Sequence, residues 1–216
     1  AYYLLNKAIS FNPTKKTKLK IINRTSDVLI ATGQTREALS FLQEQIRIEP
    51  LEGLKEKVLL IKFLTASPDS ILYDIELSFN NIDQSDNAFN DLMELKNLIF
   101  KYCNENSNYE SFKYFQKSEL FVRQKKLGDA IKELEYLVNN FPDSAIKPLA
   151  QLRLAVLNFQ LGNHNDALDY AFLLDNTEFA EQGIILSGQV YETKEEDKDK
   201  SLEQYMRILN DFTYSI

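Results

Sequence analysis

Apolar residues return at three- and four-residue steps along almost the whole chain, the spacing that gathers them on one face of a helix. In "IKPLAQLRLAVLNFQLG", Leu149, Leu152, Val156 and Phe159 share such a face, and in "GDAIKELEYLVNNFP" Ile131, Leu134, Leu137 and Val138 do the same. No segment alternates apolar and polar residues long enough to predict a strand. Helix breakers punctuate the runs at Pro13, Gly33, Pro50, Pro68, Gly128, Pro142 and Gly162, and capping residues stand at Ser67 and at Asp143–Ser144. The pattern predicts an all-α chain of about twelve antiparallel helices, over residues 1–11, 14–32, 34–48, 51–65, 68–80, 86–103, 107–126, 128–140, 145–161, 163–175, 178–193 and 198–211.

Composition supports that picture. Six glycines and five prolines in 216 residues are few for a protein of many strands and tight turns, whereas long helices need little of either. No run approaches the roughly 18 apolar residues of a membrane span. The chain opens on Ala1 with neither an initiator Met nor a leader pattern, so a trimmed or processed N-terminus is expected. Charge is unevenly spread. Residues 1–50 carry eight Lys/Arg against four Asp/Glu, and the remainder carries 17 against 28. Five cations fall in "TKKTKLKIINR" (Thr14–Arg24) with no acid among them. A nucleic-acid face could be built this way, but the net charge of −7 opposes phosphate and favours a solvated helix face.

Candidate chemistry is sparse. Cys103 and His164 are the only residues of their kinds, which excludes an internal disulfide and falls short of the four ligands of structural zinc. "GIILSGQV" (Gly183–Val190) opens like a phosphate loop, but Gln189 stands where lysine must be and no strand precedes it. Asn23-Arg24-Thr25 spells a glycosylation triplet inside a predicted helix. Carboxylate pairs such as Glu133/Glu135 and Glu195–Glu196 lie in runs that suggest no desolvated cleft. No catalytic residue, cofactor or metal ligand is therefore assigned, and the chain is expected not to be an enzyme.

Self-comparison is more informative. Alanine precedes proline by twelve residues at Ala1/Pro13, Ala38/Pro50 and Ala130/Pro142, and glycine precedes alanine by five at Gly33/Ala38 and Gly162/Ala167. Small residues stand ahead of these marks at Ser26, Ser118 and Ala155. A last copy reads Gly188, Tyr191, Ser201, Tyr205, with Thr213 in the proline's place and one extra residue in its turn. This pattern resembles the tetratricopeptide repeat, a helix pair of about 34 residues in which small side chains stand where the two helices cross. The resemblance covers about 1–50 and 107–216. Pro50 to Pro142 is 92 residues, no multiple of the period, so 51–106 is expected to hold a degenerate helix pair plus an extra helix, "DNAFNDLMELKNLIFKYCNEN" (Asp86–Asn106). Relative to Gly162 and Ala167, His164 takes the place of a turn aromatic and is expected to pack its ring there.

The resemblance implies one α-solenoid segment over 1–216, a right-handed superhelix whose concave groove is lined by the first helix of each pair. It implies a non-catalytic scaffold that binds a peptide or partner surface. Carried over by register, the groove candidates are Lys20, Asn23 and Asp27; Phe115, Glu119 and Arg123; Leu152, Val156 and Phe159; and Ile185, Gln189 and Glu192. One subfamily grips chaperone tails with a lysine and, four residues on, an asparagine. The pairs here, Asn23/Asp27, Phe115/Glu119, Leu152/Val156 and Ile185/Gln189, do not match it. The lining instead favours a basic or amphipathic segment. Alternatives are a nucleic-acid-associated repeat using Thr14–Arg24 and an accessory domain of a larger enzyme. "NNFPDSAIKPLAQLRLAVLNFQLGNHNDAL" is similar to bacterial envelope repeats, which leans towards a bacterial source and the periplasm. Neither end, Ala1 or Ile216, carries a polar capping helix. A longer array is therefore expected, with Tyr2, Leu5 and the 198–211 helix packing on neighbouring molecules or refolding locally.

Overall fold

In the computed structural model, residues 2–80, 82, 87–103 and 109–212 are described. Expectations resting on Ala1, Thr213, Ile216 and the Tyr2 side chain lie outside them. Among the described residues there are twelve α-helices and no strand. They are α1 (Tyr2–Ile9), α2 (Lys15–Ala31), α3 (Thr35–Ile48), α4 (Leu54–Phe63), α5 (Pro68–Phe79), α6 (Asn87–Tyr102), α7 (Tyr109–Arg123), α8 (Leu127–Asn140), α9 (Lys147–Gln160), α10 (His164–Phe172), α11 (Ala180–Glu192) and α12 (Lys198–Asp211), with a short 3-10 turn at Glu195–Asp197. Every predicted helix is present, most of them trimmed by a few residues.

The trimming has physical causes. The helix expected from residue 145 starts at Lys147, because Lys147 donates its N–H to the Ser144 carbonyl in a tight turn at 3.0 Å. Ser144 does not cap α9. Its hydroxyl meets that of Ser111 at 2.8 Å. Ser67 precedes α5 with extended backbone and Pro68 takes the first helical turn, where its missing N–H costs nothing.

First helices end in left-handed turns. Gly33 (φ +84°) closes α2 with Gln34 N–H donating to the Leu29 carbonyl at 2.8 Å. Gly162 (φ +78°) closes α9 the same way, Asn163 N–H donating to Asn158 at 2.9 Å. This is the Schellman closure, which favours glycine because a Cβ crowds the following carbonyl. Between α7 and α8 the sequence marked Gly128 as the break. That assignment is corrected: Gly128 lies in the first turn of α8, and Lys125 adopts the left-handed conformation (φ +59°). Lys126 N–H completes the motif to the Phe121 carbonyl at 2.9 Å.

The chain divides into two compact units, Ala1–Asn106 with Glu119–Lys126, and Ser107–Ser118 with Leu127–Ile216. In the first, α1 to α5 each pack on the helix next in sequence, and α4 also meets α6. Its core gathers Ile22, Leu29, Ile30, Ala38, Leu42, Leu54, Val58 and Ile61. In the second unit α8 to α12 again pack in chain order, and α9 also touches α11. Ala155, Ala171 and Leu186 form a cluster there with Val156, Phe159 and Tyr170 against it.

The recurring small residues are where helices cross. Ala38, Ala130, Ala167, Ser26 and Ala155 have no exposed surface, and Ser118 is 1% exposed. Gly183 and Gly188 permit closer approach still. A Cβ on Gly183 would lie 2.7 Å from the Ala171 carbonyl oxygen, and one on Gly188 would lie 2.7 Å from the Tyr205 ring. On the outer face of α12, Leu202, Met206 and Leu209 remain exposed at three- and four-residue steps, and Leu5 is half-buried.

Candidate functional site

In the first unit a cavity of about 430 Å³ opens between helices that present polar residues inward. α2 supplies Asn23, Asp27 and Ile30. α4 supplies Glu56, Lys57, Leu60 and Ile61, with Gly53 at its N-cap. Asp91 of α6 and Arg123, the last residue of α7, complete the wall. Ile30 and Ile61 reach into it from the buried core, so the floor is apolar and the rim charged.

Lys57 organises the two first helices. Its ammonium donates to the Asp27 carboxylate at 2.8 Å and to the Asn23 carbonyl at 3.1 Å. Lys57 stands one 34-residue period after Asn23, so the same helical position faces the same side in successive pairs. The lysine side chain is 20% exposed and the aspartate side chain 51%, so solvent still screens the pair. Asn23 Oδ1 is buried and has no hydrogen-bond partner. The glycosylation triplet is thus not displayed at a surface turn: its asparagine is half-buried in mid-helix.

Of the residues expected in a groove, the structure brings Asn23, Asp27 and Arg123 together. Lys20 is exposed on α2 outside the cavity. Phe115 is a correction. It is 2% exposed and stacks towards Phe112 with ring centroids 6.1 Å apart, so it belongs to the core. Glu119 is half-buried and does not line the cavity. In the second unit Leu152, Val156 and Ile185 are half-buried, and Gln189 and Glu192 are exposed on α11. Burial first, and then the Glu192 carboxylate that bonds it, push the Tyr205 phenol up. Sequence reasoning missed Glu56, Lys57, Leu60 and Asp91, which lie in the stretch without repeat marks. The 34-residue step from Asn23 was the signal for Lys57.

His164 and Cys103 have packing environments. The His164 ring meets Phe159 edge-on at 6.0 Å, and its Nδ1 shares a 2.9 Å hydrogen bond with the Thr193 hydroxyl at the end of α11. It ties the turn of one pair to the next. Burial, with the Asp69 carboxylate adding to it, pushes the Cys103 thiol up to about 12, far from the thiolate that nucleophilic chemistry needs. Among the described residues no group of three or more His, Cys, Asp or Glu could hold a metal ion. Nor is any described helix long and apolar enough to cross a membrane.

The basic run of α2 is partly neutralised. Lys18 donates to Glu49 at 2.7 Å and Lys15 lies 3.8 Å from the same carboxylate. Lys16, Lys20 and Arg24 remain exposed at four-residue steps, a narrow stripe of three cations.

Residues 77–213, more than half of the chain, match the family model of the tetratricopeptide repeat-like domain. No curated protein matches the sequence. The match takes in Asp91 and Arg123 of the cavity, whereas the α2 and α4 residues precede it.

Proposed function

The chain belongs to the tetratricopeptide repeat-like family, and on that premise we propose that the cavity between α2, α4 and α6 receives a segment of a protein partner. Domains of this family generally mediate protein–protein interaction and are typically non-catalytic. The observation that carries the reading is the cavity itself: about 430 Å³, with an apolar floor and a few convergent polar groups, walled by α2, α4, α6 and the end of α7. Such a pocket suits an anchoring side chain of a partner, because an apolar floor excludes water while the polar groups fix orientation.

A random-peptide display library panned on the full chain tests this. Binders are expected whose affinity disappears in Leu60→Trp, which fills the cavity, provided the variant keeps its helical circular dichroism and melting temperature. Binders indifferent to that substitution would place the interaction elsewhere. Steeply salt-dependent retention on DNA by the Lys16, Lys20 and Arg24 stripe would instead favour a nucleic-acid partner.

A further inference from the structure

The chemistry of the cavity narrows what can occupy it, and this step rests on the reading that a protein segment binds there. The geometry points to an occupant that places an arginine beside an aliphatic side chain, with Glu56 and Asp91 accepting from its guanidinium.

Charge supplies the first reason. Three carboxylates line the cavity, those of Asp27, Glu56 and Asp91, against the two cations Lys57 and Arg123. Lys57 neutralises Asp27 at 2.8 Å. Glu56 and Asp91 make no ion pair among the described residues, and of the cations only Arg123, exposed at the rim, is left to oppose an incoming positive charge. The balance of uncommitted groups is thus acceptor-rich and acidic. Arginine meets it better than lysine does, because its planar fork of N–H groups can hold a carboxylate through two hydrogen bonds at once.

The floor supplies the second. Ile30, Leu60 and Ile61 offer an apolar surface beside the acceptors. An aliphatic neighbour of the arginine, together with the arginine's own methylene stem, would cover it.

Fluorescence anisotropy on the full chain tests the assignment with three labelled peptides, Gly-Ser-Leu-Arg-Leu-Ser-Gly and its versions with glutamine or glutamate for arginine. The arginine peptide is expected to bind about tenfold more tightly than the glutamine one, the scale of one charge-assisted hydrogen bond, and the glutamate peptide more weakly still. In the double variant Glu56→Gln/Asp91→Asn the arginine preference should fall by about the same factor while the melting temperature holds. If cavity-dependent binders emerge from the display library but prefer glutamate, or show no charge preference, the arginine assignment is overturned and the segment-binding reading stands. If the library yields no binder sensitive to Leu60→Trp, the reading itself fails and takes the assignment with it.

Discussion

The first helices of the two units occupy the same repeat positions and use them oppositely. Counting from the small residue at each crossing, Asn23 and Asp27 of α2 correspond to Leu152 and Val156 of α9 and to Ile185 and Gln189 of α11. In the first unit those positions carry an orphaned amide oxygen and an ion pair to Lys57. In the second, Val156 packs on the cluster of Ala155, Ala171 and Leu186. One unit thus keeps an open cavity with an apolar floor and a charged rim between α2, α4 and α6, and the other has glycines at which its helices approach closely. The register of a repeat fixes where a residue stands along a helix. Whether that place becomes site or core depends on what the neighbouring helix presents.

Close packing in the second unit gives the largest expected effect. Gly183→Ala would put a methyl group 2.7 Å from the Ala171 carbonyl oxygen and 3.1 Å from Leu174 Cβ. Neither is the free end of a side chain, so α10 and α11 must separate, at a cost of about 1–3 kcal/mol. Gly188→Ala meets only the Tyr205 ring, which can turn aside. There the ring's displacement is offset by the gain of about 1 kcal/mol from replacing glycine in mid-helix. Urea midpoints should therefore fall clearly for the first variant and stay nearly level for the second. Equal losses would show that helix approach in this unit is limited by side chains and not by backbone.

The helix ends give the next effect, with the opposite sign. Gly33 and Gly162 hold left-handed turns at no steric cost, while Lys125 holds the corresponding turn against its own Cβ. Lys125→Gly should stabilise the chain by about 1 kcal/mol, since a left-handed residue with a side chain carries roughly that penalty. A lowered urea midpoint would mean that the lysine side chain contributes more than its backbone loses.

Lys125 also shows what could be read from sequence. The five-residue step before Ala130 points to position 125, but the visible glycine three residues later drew the break to itself. Helix identity and number were legible because apolar spacing repeats through every element, and Ala38, Ala130 and Ala167 were legible because only small residues fit a helix crossing. The site was half legible. Asn23, Asp27 and Arg123 follow from register, whereas Lys57 and Asp91 lie where the alanine and proline marks are missing. Phe115 shows the limit of register. Successive residues turn by about 100° around a helix, so a small rotation of α7 moves a side chain from groove to core.

The smallest effect concerns how the first unit holds its helices by charge. Lys18 of α2 donates to Glu49 at the end of α3, and that hydrogen bond, with the nearby Lys18 and Lys15 charges adding to it, holds the Glu49 carboxyl below its usual value. A carboxyl whose folded value is lowered adds stability that is present above its unfolded value, about 4.3 for glutamate, and lost as pH falls through the lowered one. Lys18→Ala should move the Glu49 titration, followed by carbon-detected NMR of its carboxyl, back up towards the ordinary range. The same variant should flatten the decline in melting temperature on acidification below about pH 4. Lys15→Ala should move it less, because Lys15 sits 3.8 Å away against 2.7 Å for Lys18. If both variants shift Glu49 equally, the carboxylate is responding to the summed charge of the basic run. The Lys18 contact would then not be what joins the start of α2 to the end of α3.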